Sequence, residues 1–293
     1  MHSNKKILVT GSDGFIGQHL VPALVELGYQ VVTADKKSKT DLCDWPTVKS
    51  LPDVDIVFHA AAFNGTRFFY QNPYSVIRNN TLPTQYLLDR YAGNCEHFIF
   101  TGTCESYAGA VDRFDWPVPT DESVPVVIDD VLNPRWSYGG SKALGELMCV
   151  GAHVELEQPY TILRYHNIYG PGQVDHFIPE FAQRADLGNT ELYGYSNTRS
   201  FMYVSDAVDI TLQLINTPLN QIVNIGSDYE ITIKDLATMI LQLKNISTPL
   251  VCKPAPTGSV SRRCPDLSRL KSLIKYNPQV DLHQGVKLTL ESL

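Results

Sequence analysis

The beginning of the chain constrains the fold more than any other segment. Lys6–Thr10 is a short, largely apolar run, and the turn that follows it contains Gly11, Gly14 and Gly17. A helical pattern of apolar residues then extends from 15 to about 27. A buried strand that passes through a glycine turn straight into a helix is typical of the first unit of a parallel sheet. An ordinary strand-to-helix connection has the same local pattern, so the rest of the chain must show whether a parallel sheet follows.

Strand and helix patterns continue to alternate along the chain. Strand-like runs cover 30–34, 55–59, 97–101, 160–165 and 222–226, and helical patterns cover about 80–91 and 138–157. This alternation predicts an α/β fold, a Rossmann-type doubly wound parallel sheet with helices on both faces. Residues 109–135 are rich in Pro, Asp and Val without a clear period, which predicts a long loop. The short elements after residue 170 predict a smaller C-terminal α/β region.

Composition limits the class of protein further. The 293 residues are 43% hydrophobic and carry a net charge of -7, which suits a compact enzyme and excludes a general nucleic-acid or membrane-surface binder. Residues 1–6 lack the apolar stretch of a signal peptide, and no run is long enough for a transmembrane helix. The six cysteines are scattered without a C-x-x-C pair, so we predict no disulfide framework, no metal site and a cytoplasmic location.

The glycine turn has the composition of a dinucleotide site. Its spacing is G-x-x-G-x-x-G, and the first helical residues, Phe15 and Ile16, would offer unpaired N–H groups to a pyrophosphate. Asp35 ends the second strand, where an acid accepts hydrogen bonds from the adenosine ribose of NAD and repels the 2′-phosphate of NADP. We therefore predict NAD, although Lys36 and Lys37 follow directly. A solvated acid at a strand end is the alternative for Asp35.

Tyr138 and Lys142 form a second candidate site. They are four residues apart in a helical pattern, so both side chains lie on one face of the helix. A nearby ammonium favours the ionised phenol, which predicts a lowered pKa for Tyr138 and a base for a sugar hydroxyl. Alone, this spacing is also that of a solvated helix face.

Together these motifs resemble one protein family. The glycine turn, the run His59-Ala60-Ala61-Ala62, the pair Tyr138 and Lys142, and the segment 164–171 (RYHNIYGP) are similar to the extended short-chain dehydrogenase/reductases. More narrowly, they resemble the NAD-dependent nucleotide-sugar epimerases and dehydratases. The resemblance covers nearly the whole chain. It implies a tightly held NAD that oxidises a sugar carbon, usually C4, and later returns the hydride.

The resemblance also implies roles for individual residues. Thr103 would hydrogen-bond the reacting oxygen, Tyr138 would be the base and Lys142 would orient the nicotinamide ribose. Further contacts to NAD would come from Gly11, Gly14, Phe15, Ile16, Gly17, Asp35, Asp41, Leu42, Ala60, Ala61, Ala62, Asn80, Thr101 and Tyr165. The sugar-nucleotide diphosphate would be held by Asn167, Arg199 and Arg263, where a guanidinium suits phosphate oxygens.

The resemblance assigns parts of the chain to the two ligands. Residues 1–166 would form the NAD-binding Rossmann domain, with 201–226 returning to it. Residues 167–200 and 227–293 would bind the nucleotide-diphosphate sugar. Family members usually form homodimers through a four-helix bundle, and the helices near 80–91 and 138–157 would supply it. Leu144, Leu147, Met148 and Val150 are apolar there, although they could equally face the sheet.

The segment Thr103-Cys104-Glu105 bears on the reaction type. The corresponding residues resemble T-D-E in dehydratases and T-S-E in decarboxylases and some other dehydratases, while simple 4-epimerases have small or apolar residues after the hydroxyl residue. Glu105 fits a base at C5, next to an oxidised C4, or a structural acid that binds backbone N–H groups. Cys104 is a weak substitute for the dehydratase Asp, or a small buried residue.

Three hypotheses about the reaction follow. A dehydratase, with proton removal at C5 by Glu105 and loss of water, is the first. An epimerase at C4 or an adjacent carbon is the second. A decarboxylase, or a sugar-nucleotide binder without catalysis, is the least favoured.

Overall fold

Strands and helices follow one another along residues 4–255 and 259–293, which are the residues that the computed structural model describes. The strands are β1 (Lys6–Thr10), β2 (Gln30–Ala34), β3 (Ile56–His59), β4 (His97–Thr103), β5 (Tyr160–Tyr165), β6 (Ile168–Tyr169), β7 (Glu191–Tyr193), β8 (Thr198–Ser200), β9 (Met202–Tyr203), β10 (Ile222–Ile225), β11 (Glu230–Thr232), β12 (Val251–Lys253) and β13 (Arg262–Arg263). The helices are α1 (Phe15–Glu26), α2 (Trp45–Lys49), α3 (Thr66–Gln71), α4 (Pro73–Tyr91), α5 (Ala108–Phe114), α6 (Trp136–Leu156), α7 (Phe177–Asp186), α8 (Val204–Leu214), α9 (Ile233–Leu243), α10 (Ser268–Leu273) and α11 (Leu282–Glu291). A short 3₁₀ turn covers Cys104–Tyr107.

Six strands form the main sheet, in the order β10-β5-β4-β3-β1-β2. Strand β1 pairs in parallel with both β2 and β3, so the chain builds the sheet outward in two directions from β1. A crevice forms outside the carboxyl ends of the strands at such a switch point, and ligands of doubly wound folds bind there. The glycine turn follows β1 directly. The predicted doubly wound parallel sheet is therefore confirmed, and its first turn lies at the switch point.

The chain divides into two units, each built from three stretches. Unit 1 comprises Met1–Ser106, Ile128–Tyr165 and Val208–Val223, and unit 2 comprises Tyr107–Val127, His166–Ala207 and Asn224–Leu293. The sequence-based boundaries differ, because residues 107–127, 201–207 and 224–226 were expected in the first domain. Backbone bonds explain the first difference: the Thr120 N–H donates to the Cys264 carbonyl at 2.8 Å, within unit 2.

Two predicted elements have different bounds in the structure. The stretch 109–135 is not loop throughout, because α5 forms a helix that packs against β13. Helix α4 begins at Pro73, seven residues before the predicted start near Asn80. A proline at the first helical position needs no N–H partner, so it starts this helix at little cost. In neither described range, 4–255 or 259–293, is any helix long and apolar enough to span a bilayer.

The core of unit 1 lies between the sheet and two long helices. Strands β3, β4 and β5 are buried along their entire length, as expected for a parallel sheet covered on both faces. Helices α4 and α6 pack against each other, and α6 also packs against β4. The core side chains include Leu8, Val57, Leu87, Phe98, Phe100, Cys149 and Ile162. This packing fixes α6, the helix that carries Tyr138 and Lys142.

Unit 2 has a separate core among helices α7, α9 and α11. The helices present apolar faces to one another, and α9 begins at a Thr232 side chain that accepts a hydrogen bond from the Asp235 N–H. The core side chains include Tyr169, Ile178, Phe181, Leu236, Ile240 and Val286. Strands β8, β11 and β13 form a small sheet that carries Arg199 and Arg263.

Two buried histidines make the stability of the fold sensitive to acid. Burial lowers the pKa of His59 to about 3 and that of His97 to about 4. An unfolded histidine titrates near pH 6.5, so between these values the unfolded chain binds more protons than the folded one. This stability is fully present above pH ~6.5 and is lost as the pH falls, by about 1.4 kcal/mol per pH unit for each histidine.

Urea unfolding at about pH 7 and about pH 5 tests this expectation. The midpoint should fall at the lower pH, and a His97→Phe variant should show a shallower dependence on pH. An unchanged dependence in that variant would show that His97 is not buried in its neutral form.

Candidate active site

The glycine turn brings two backbone segments too close together for a side chain. Gly11 has a φ of +69°, and a Cβ there would lie 2.7 Å from the Ala61 nitrogen. A Cβ on Gly17 would lie 2.6 Å from the Ser12 Cα. Only glycine fits at these two positions, because it has no Cβ, and it also tolerates the positive φ found at Gly11. The turn is therefore shaped by its glycines.

The residues of this turn fit a dinucleotide pyrophosphate. Helix α1 starts at Gly14 without a side-chain cap, so its first N–H groups point outward with the positive end of the helix dipole. The Ser12 hydroxyl is buried and has no hydrogen-bond partner among residues 4–255 and 259–293. Orphaned donors at a helix start are a ready site for phosphate oxygens. From these observations, the turn, Ser12 and the start of α1 would hold the pyrophosphate of NAD.

Asp35 is anchored beside the turn. One carboxylate oxygen accepts the Asp13 N–H at 3.1 Å and the other accepts the Lys37 N–H at 2.8 Å. Each carboxylate oxygen has a second lone pair, so both can still accept a ribose hydroxyl. The side chain is half-buried. Its position at the end of β2, next to the glycine turn, agrees with the predicted contact to the adenosine ribose.

Asp35→Asn is expected to reduce the preference for NAD over NADP. The amide removes the negative charge that repels a 2′-phosphate and keeps one oxygen for the Lys37 N–H. Thermal shifts with NAD and with NADP measure the change, since a bound cofactor raises the Tm by mass action. Asp44→Asn is a matched control, because Asp44 caps α2 through the Thr47 N–H. An unchanged preference in Asp35→Asn would exclude the predicted role.

Strand β4 and the 3₁₀ turn after it carry three of the predicted catalytic residues. The Thr103 hydroxyl lies near the Tyr138 phenol and lowers its pKa. The Glu105 carboxylate forms an ion pair with Arg135, with 3.2 Å between Oε2 and Nη2, and the two side chains are 24% and 13% exposed. A Cβ on Gly139 would lie 2.7 Å from the Glu105 carbonyl, so α6 lies directly against this turn. The structure therefore brings Thr103, Glu105 and Tyr138 together.

The predicted lowering of the Tyr138 pKa is wrong for this structure. Burial raises the pKa of the phenol, and the charges of Glu105 and Cys104 raise it further, while the bond to Thr103 lowers it. Lys142 has no resolved effect on the phenol. Its ammonium lies 4.1 Å from the centre of the Phe100 ring and donates to Thr101 Oγ1 at 3.4 Å. The raised pKa thus keeps the Tyr138 phenol protonated in this state.

The Tyr138 ring is stacked on Phe69. The ring centres are 5.1 Å apart and the planes differ by 8°. Phe69 comes from α3, and its carbonyl accepts a hydrogen bond from the Ser137 hydroxyl at 3.5 Å. Val76 completes this small apolar cluster. Phe69 therefore packs against one side of the Tyr138 phenol.

Lys142 belongs to a buried group of charges. Glu146 forms two bonds to Arg164, at 2.9 Å to Nε and 2.7 Å to Nη2, and both residues are buried. Burial lowers the pKa of Lys142 to about 8, while the charge of Glu146 opposes this shift. Sequence reasoning missed Glu146, although it continues the four-residue spacing of Tyr138 and Lys142.

Other predicted cofactor residues have roles inside unit 1. The Asn80 side chain accepts a hydrogen bond from the Phe63 N–H and donates one to the Phe63 carbonyl. It also donates to Ser141 Oγ at 3.1 Å. The Tyr165 hydroxyl pairs with Thr211 Oγ1 at 2.7 Å. Both residues are buried, which favours positioning over direct contact with NAD. The predicted residues Ala60, Ala61 and Ala62 lie closer to the glycine turn, and Asp41 and Leu42 lie in the segment after β2.

The predicted substrate residues all lie in unit 2. The Asn167 amide donates to the Ser200 carbonyl at 2.9 Å. The Arg199 guanidinium donates to the backbone carbonyls of Thr198 and Val260, at 2.7 and 2.8 Å. Arg263 is buried in β13. Arg199 therefore binds the backbone of its own strand and of Val260, and phosphate binding by these residues stays a prediction.

A doubly wound sheet, a dinucleotide turn at its switch point and a tyrosine–lysine helix define a class, the short-chain dehydrogenase/reductases. A model of the NAD dependent epimerase/dehydratase family matches residues 7–226. The chain belongs to this family, and its cofactor is NAD. It is an enzyme of the nucleotide-sugar epimerase and decarboxylase group, which confirms the predicted class and leaves the predicted dehydratase unconfirmed.

Three similar proteins cover almost the whole chain. UDP-N-acetyl-alpha-D-glucosaminuronate decarboxylase of Bacillus cytotoxicus is 33% identical, over 98% of this chain and 97% of its own length. UDP-glucuronic acid decarboxylase 5 of Arabidopsis thaliana is 29% identical, over 99% of this chain and 89% of its own. The solved UDP-glucose 4-epimerase of Thermotoga maritima, with UDP-glucose, is 27% identical with a TM-score of 0.88 and covers 98% of both chains.

Proposed function

We propose that this protein is an NAD-dependent decarboxylase of a UDP-hexuronate. The observation that carries the proposal is the Thr103-Cys104-Glu105 turn beside Tyr138: it places a hydroxyl and a carboxylate at the phenol but offers only a buried thiol between them. Relatives that act on UDP-hexuronates, at 33% and 29% identity, support this choice.

The chemistry assigns a task to each residue. NAD, when bound, supplies the reversible two-electron oxidation of the C4 hydroxyl to a ketone. Tyr138 first releases its own proton to solvent, and the resulting phenolate takes the hydroxyl proton while Thr103 hydrogen-bonds the same oxygen. In a hexuronate, the C6 carboxylate is then β to the ketone. The C5–C6 bond breaks, CO₂ leaves, and the electron pair passes through C5 to the C4 oxygen, where the two hydroxyls stabilise the charge.

A proton must then be added at C5, and Glu105 is the residue proposed to deliver it. Its side chain is 24% exposed, so the carboxylate can take up a proton from water before it passes that proton to C5. Arg135 holds the carboxylate in place through the ion pair. Tyr138 returns its proton to the C4 oxygen when the ketone is reduced. Loss of CO₂ requires no acid for a leaving hydroxyl, whereas loss of water does, and a thiol is a much weaker acid than a carboxylic acid.

A 4-epimerase is the second candidate. The fold similarity to the UDP-glucose 4-epimerase of Thermotoga maritima favours it, and 4-epimerisation also begins with oxidation at C4. The third member of the Thr103-Cys104-Glu105 turn argues for the decarboxylase, because inversion at C4 needs no further acid or base.

Mass spectrometry of the products distinguishes these reactions. The enzyme with NAD is incubated separately with UDP-glucuronate, UDP-N-acetylglucosaminuronate and UDP-glucose. Loss of CO₂ from a hexuronate is the expected result, and Cys104→Ala should retain most of this activity. A product of UDP-glucose with unchanged mass but a different chromatographic retention time would assign the epimerase instead. Loss of water, abolished in Cys104→Ala, would assign the dehydratase.

The same proposal includes a homodimer formed through α4 and α6. Both helices expose apolar side chains, which a partner copy would cover: Tyr74, Ile77, Leu144, Leu147, Val150 and Val154. Leu147 is 68% exposed and Val154 is 75% exposed, which is unusual in an uncovered helix. Sedimentation of the wild type and of Leu147→Glu tests the dimer, which should dissociate in the variant.

A further inference from the structure

His59 is fully buried at the end of β3 and takes no part in the chemistry described above. Its Nδ1 lies 2.7 Å from Thr10 Oγ1 and its Nε2 lies 2.9 Å from Thr84 Oγ1. All three residues have at most 1% of their surface exposed. Buried polar groups need partners, so the direction of each hydrogen bond can be worked out.

The two hydroxyl groups fix the tautomer of the ring. Thr84 Oγ1 donates its single proton to the Asn80 carbonyl at 2.9 Å, so it must accept from the His59 Nε2–H. Nδ1 is then an acceptor and Thr10 donates to it, while the Ala61 N–H donates to Thr10 Oγ1 at 3.2 Å. The opposite tautomer would leave the Thr10 hydroxyl proton without an acceptor among the residues described, which is costly in a buried site.

Both ends of this chain of hydrogen bonds reach segments assigned to NAD. Thr10 directly precedes the glycine turn, and Ala61 belongs to the alanine run after β3. At the other end, the Asn80 side chain donates to Ser141 Oγ at 3.1 Å, and Ser141 donates to the Tyr138 carbonyl at 2.8 Å. One neutral imidazole thus connects β1, β3 and α4, and through Asn80 it connects them to the helix of Tyr138 and Lys142.

The surroundings keep this ring neutral. Burial lowers the pKa of His59 to about 3, and the positive charge of Lys142 lowers it further. The His59 carbonyl also accepts the Thr101 hydroxyl at 3.1 Å, and Thr101 in turn accepts from Lys142. Protonation would place a second cation beside Lys142 and turn Nδ1 from an acceptor into a donor. The directions of the hydrogen bonds are therefore constant near neutral pH.

We propose that His59, held as the Nε2–H tautomer, is a positioning residue that sets the arrangement of the glycine turn, the alanine run and helix α6 for NAD. The proposal rests on the NAD site alone and does not depend on which sugar reaction follows. Removal of the ring nitrogens should therefore weaken NAD binding in the absence of any sugar.

The test compares two histidines of equal burial. His59→Phe and His97→Phe each remove a buried imidazole with two hydrogen bonds, but the partners of His97 are Ile215 and Thr161, outside the NAD segments. Titration with NAD should show a dissociation constant raised roughly 10-fold or more in His59→Phe, the size typical of positioning groups, and unchanged in His97→Phe. Comparable losses of Tm are expected in both. His59→Gln, which restores a donor and an acceptor, should recover part of the affinity. Equal NAD affinities in all variants would overturn the proposal.

A spectroscopic measurement does not depend on whether the variants fold. A two-bond ¹H–¹⁵N spectrum of the wild-type protein should show the His59 ring as the Nε2–H tautomer, without titration between about pH 5 and 8. The opposite tautomer, or a titration in this range, would contradict the proposed hydrogen-bond directions. Failure of wild-type protein to turn over any UDP-sugar would leave this result and the NAD affinities unaffected, so the two proposals fail separately.

Discussion

Tyr138→Phe should lower kcat about 10³-fold, within the range that a positioned acid–base group contributes. The raised pKa keeps the phenol protonated in this state, so it must release its own proton before it can accept the proton of the sugar hydroxyl. The stability should change little, because the phenyl ring keeps its stack on Phe69. NAD affinity should also persist, since the glycine turn is untouched. Steady-state turnover, with NAD binding measured in parallel, tests this expectation.

Tyr91→Phe is the matched control. Its hydroxyl donates to the Pro52 carbonyl at 2.9 Å in the core of unit 1, and no catalytic role is assigned to it. Loss of this bond should cost about 1 kcal/mol of unfolding free energy and leave kcat unchanged. If Tyr138→Phe retained full turnover while Tyr91→Phe behaved as expected, Tyr138 would not be the base.

Glu146→Ala should have the largest effect on stability, about 3–5 kcal/mol of unfolding free energy. Arg164 is 2% exposed, and removal of its carboxylate leaves a guanidinium charge in the core. Glu146 also raises the pKa of Lys142, so its loss should move that pKa below about 8 and reduce the charge of Lys142 near neutral pH. Urea unfolding measures the first effect and the pH profile of turnover measures the second.

The double variant Glu146→Met, Arg164→Met separates a lost ion pair from a lost packing contact. Replacement of both charges by apolar side chains of similar size should recover much of the stability, because no buried charge is left unpaired. The shift in the pH profile of turnover should remain, since Lys142 still lacks a neighbouring carboxylate. A double variant as unstable as Glu146→Ala would assign the loss to packing.

Much of the NAD site was predictable because its signals are local. Gly11, Gly14 and Gly17 lie within one turn, and Asp35 ends the next strand, so spacing alone indicates their role. Tyr138 and Lys142 lie one helical turn apart for the same reason. The class of the main sheet, parallel and doubly wound, followed from the alternation of strands and helices.

The pKa of Tyr138 was not predictable, because it depends on burial and on distant residues. Sequence spacing places Lys142 on the same helix face as Tyr138. The ammonium lies over the ring of Phe100, however, which comes from strand β4. Glu105 acts on the phenol from the 3₁₀ turn after β4, a turn that no sequence periodicity encodes. The pKa of Tyr138 could therefore be worked out only from the structure, whereas the candidate residues themselves could be identified from the sequence.

The hydrogen-bond chain through His59 was equally hidden. Its members Thr10, His59 and Thr84 are widely separated in sequence, and each one alone resembles an ordinary strand or helix residue. Only the register of β1 against β3 places Thr10 opposite His59. The bounds of the units were missed for a similar reason, since 107–127 contains few apolar residues in a regular pattern and is held by bonds to residues such as Cys264.

The position of β10 limits how this protein can be divided. Unit 1 is completed only by Val208–Val223, a stretch that the ribosome makes after two of the three stretches of unit 2. An N-terminal fragment that stops at residue 166 would lack β10, so β5 would become an unprotected sheet edge with unpaired N–H and C=O groups. Such a fragment should pair with other copies and aggregate. Any truncation, split point or exchange of domains with a relative should therefore lie after residue 225.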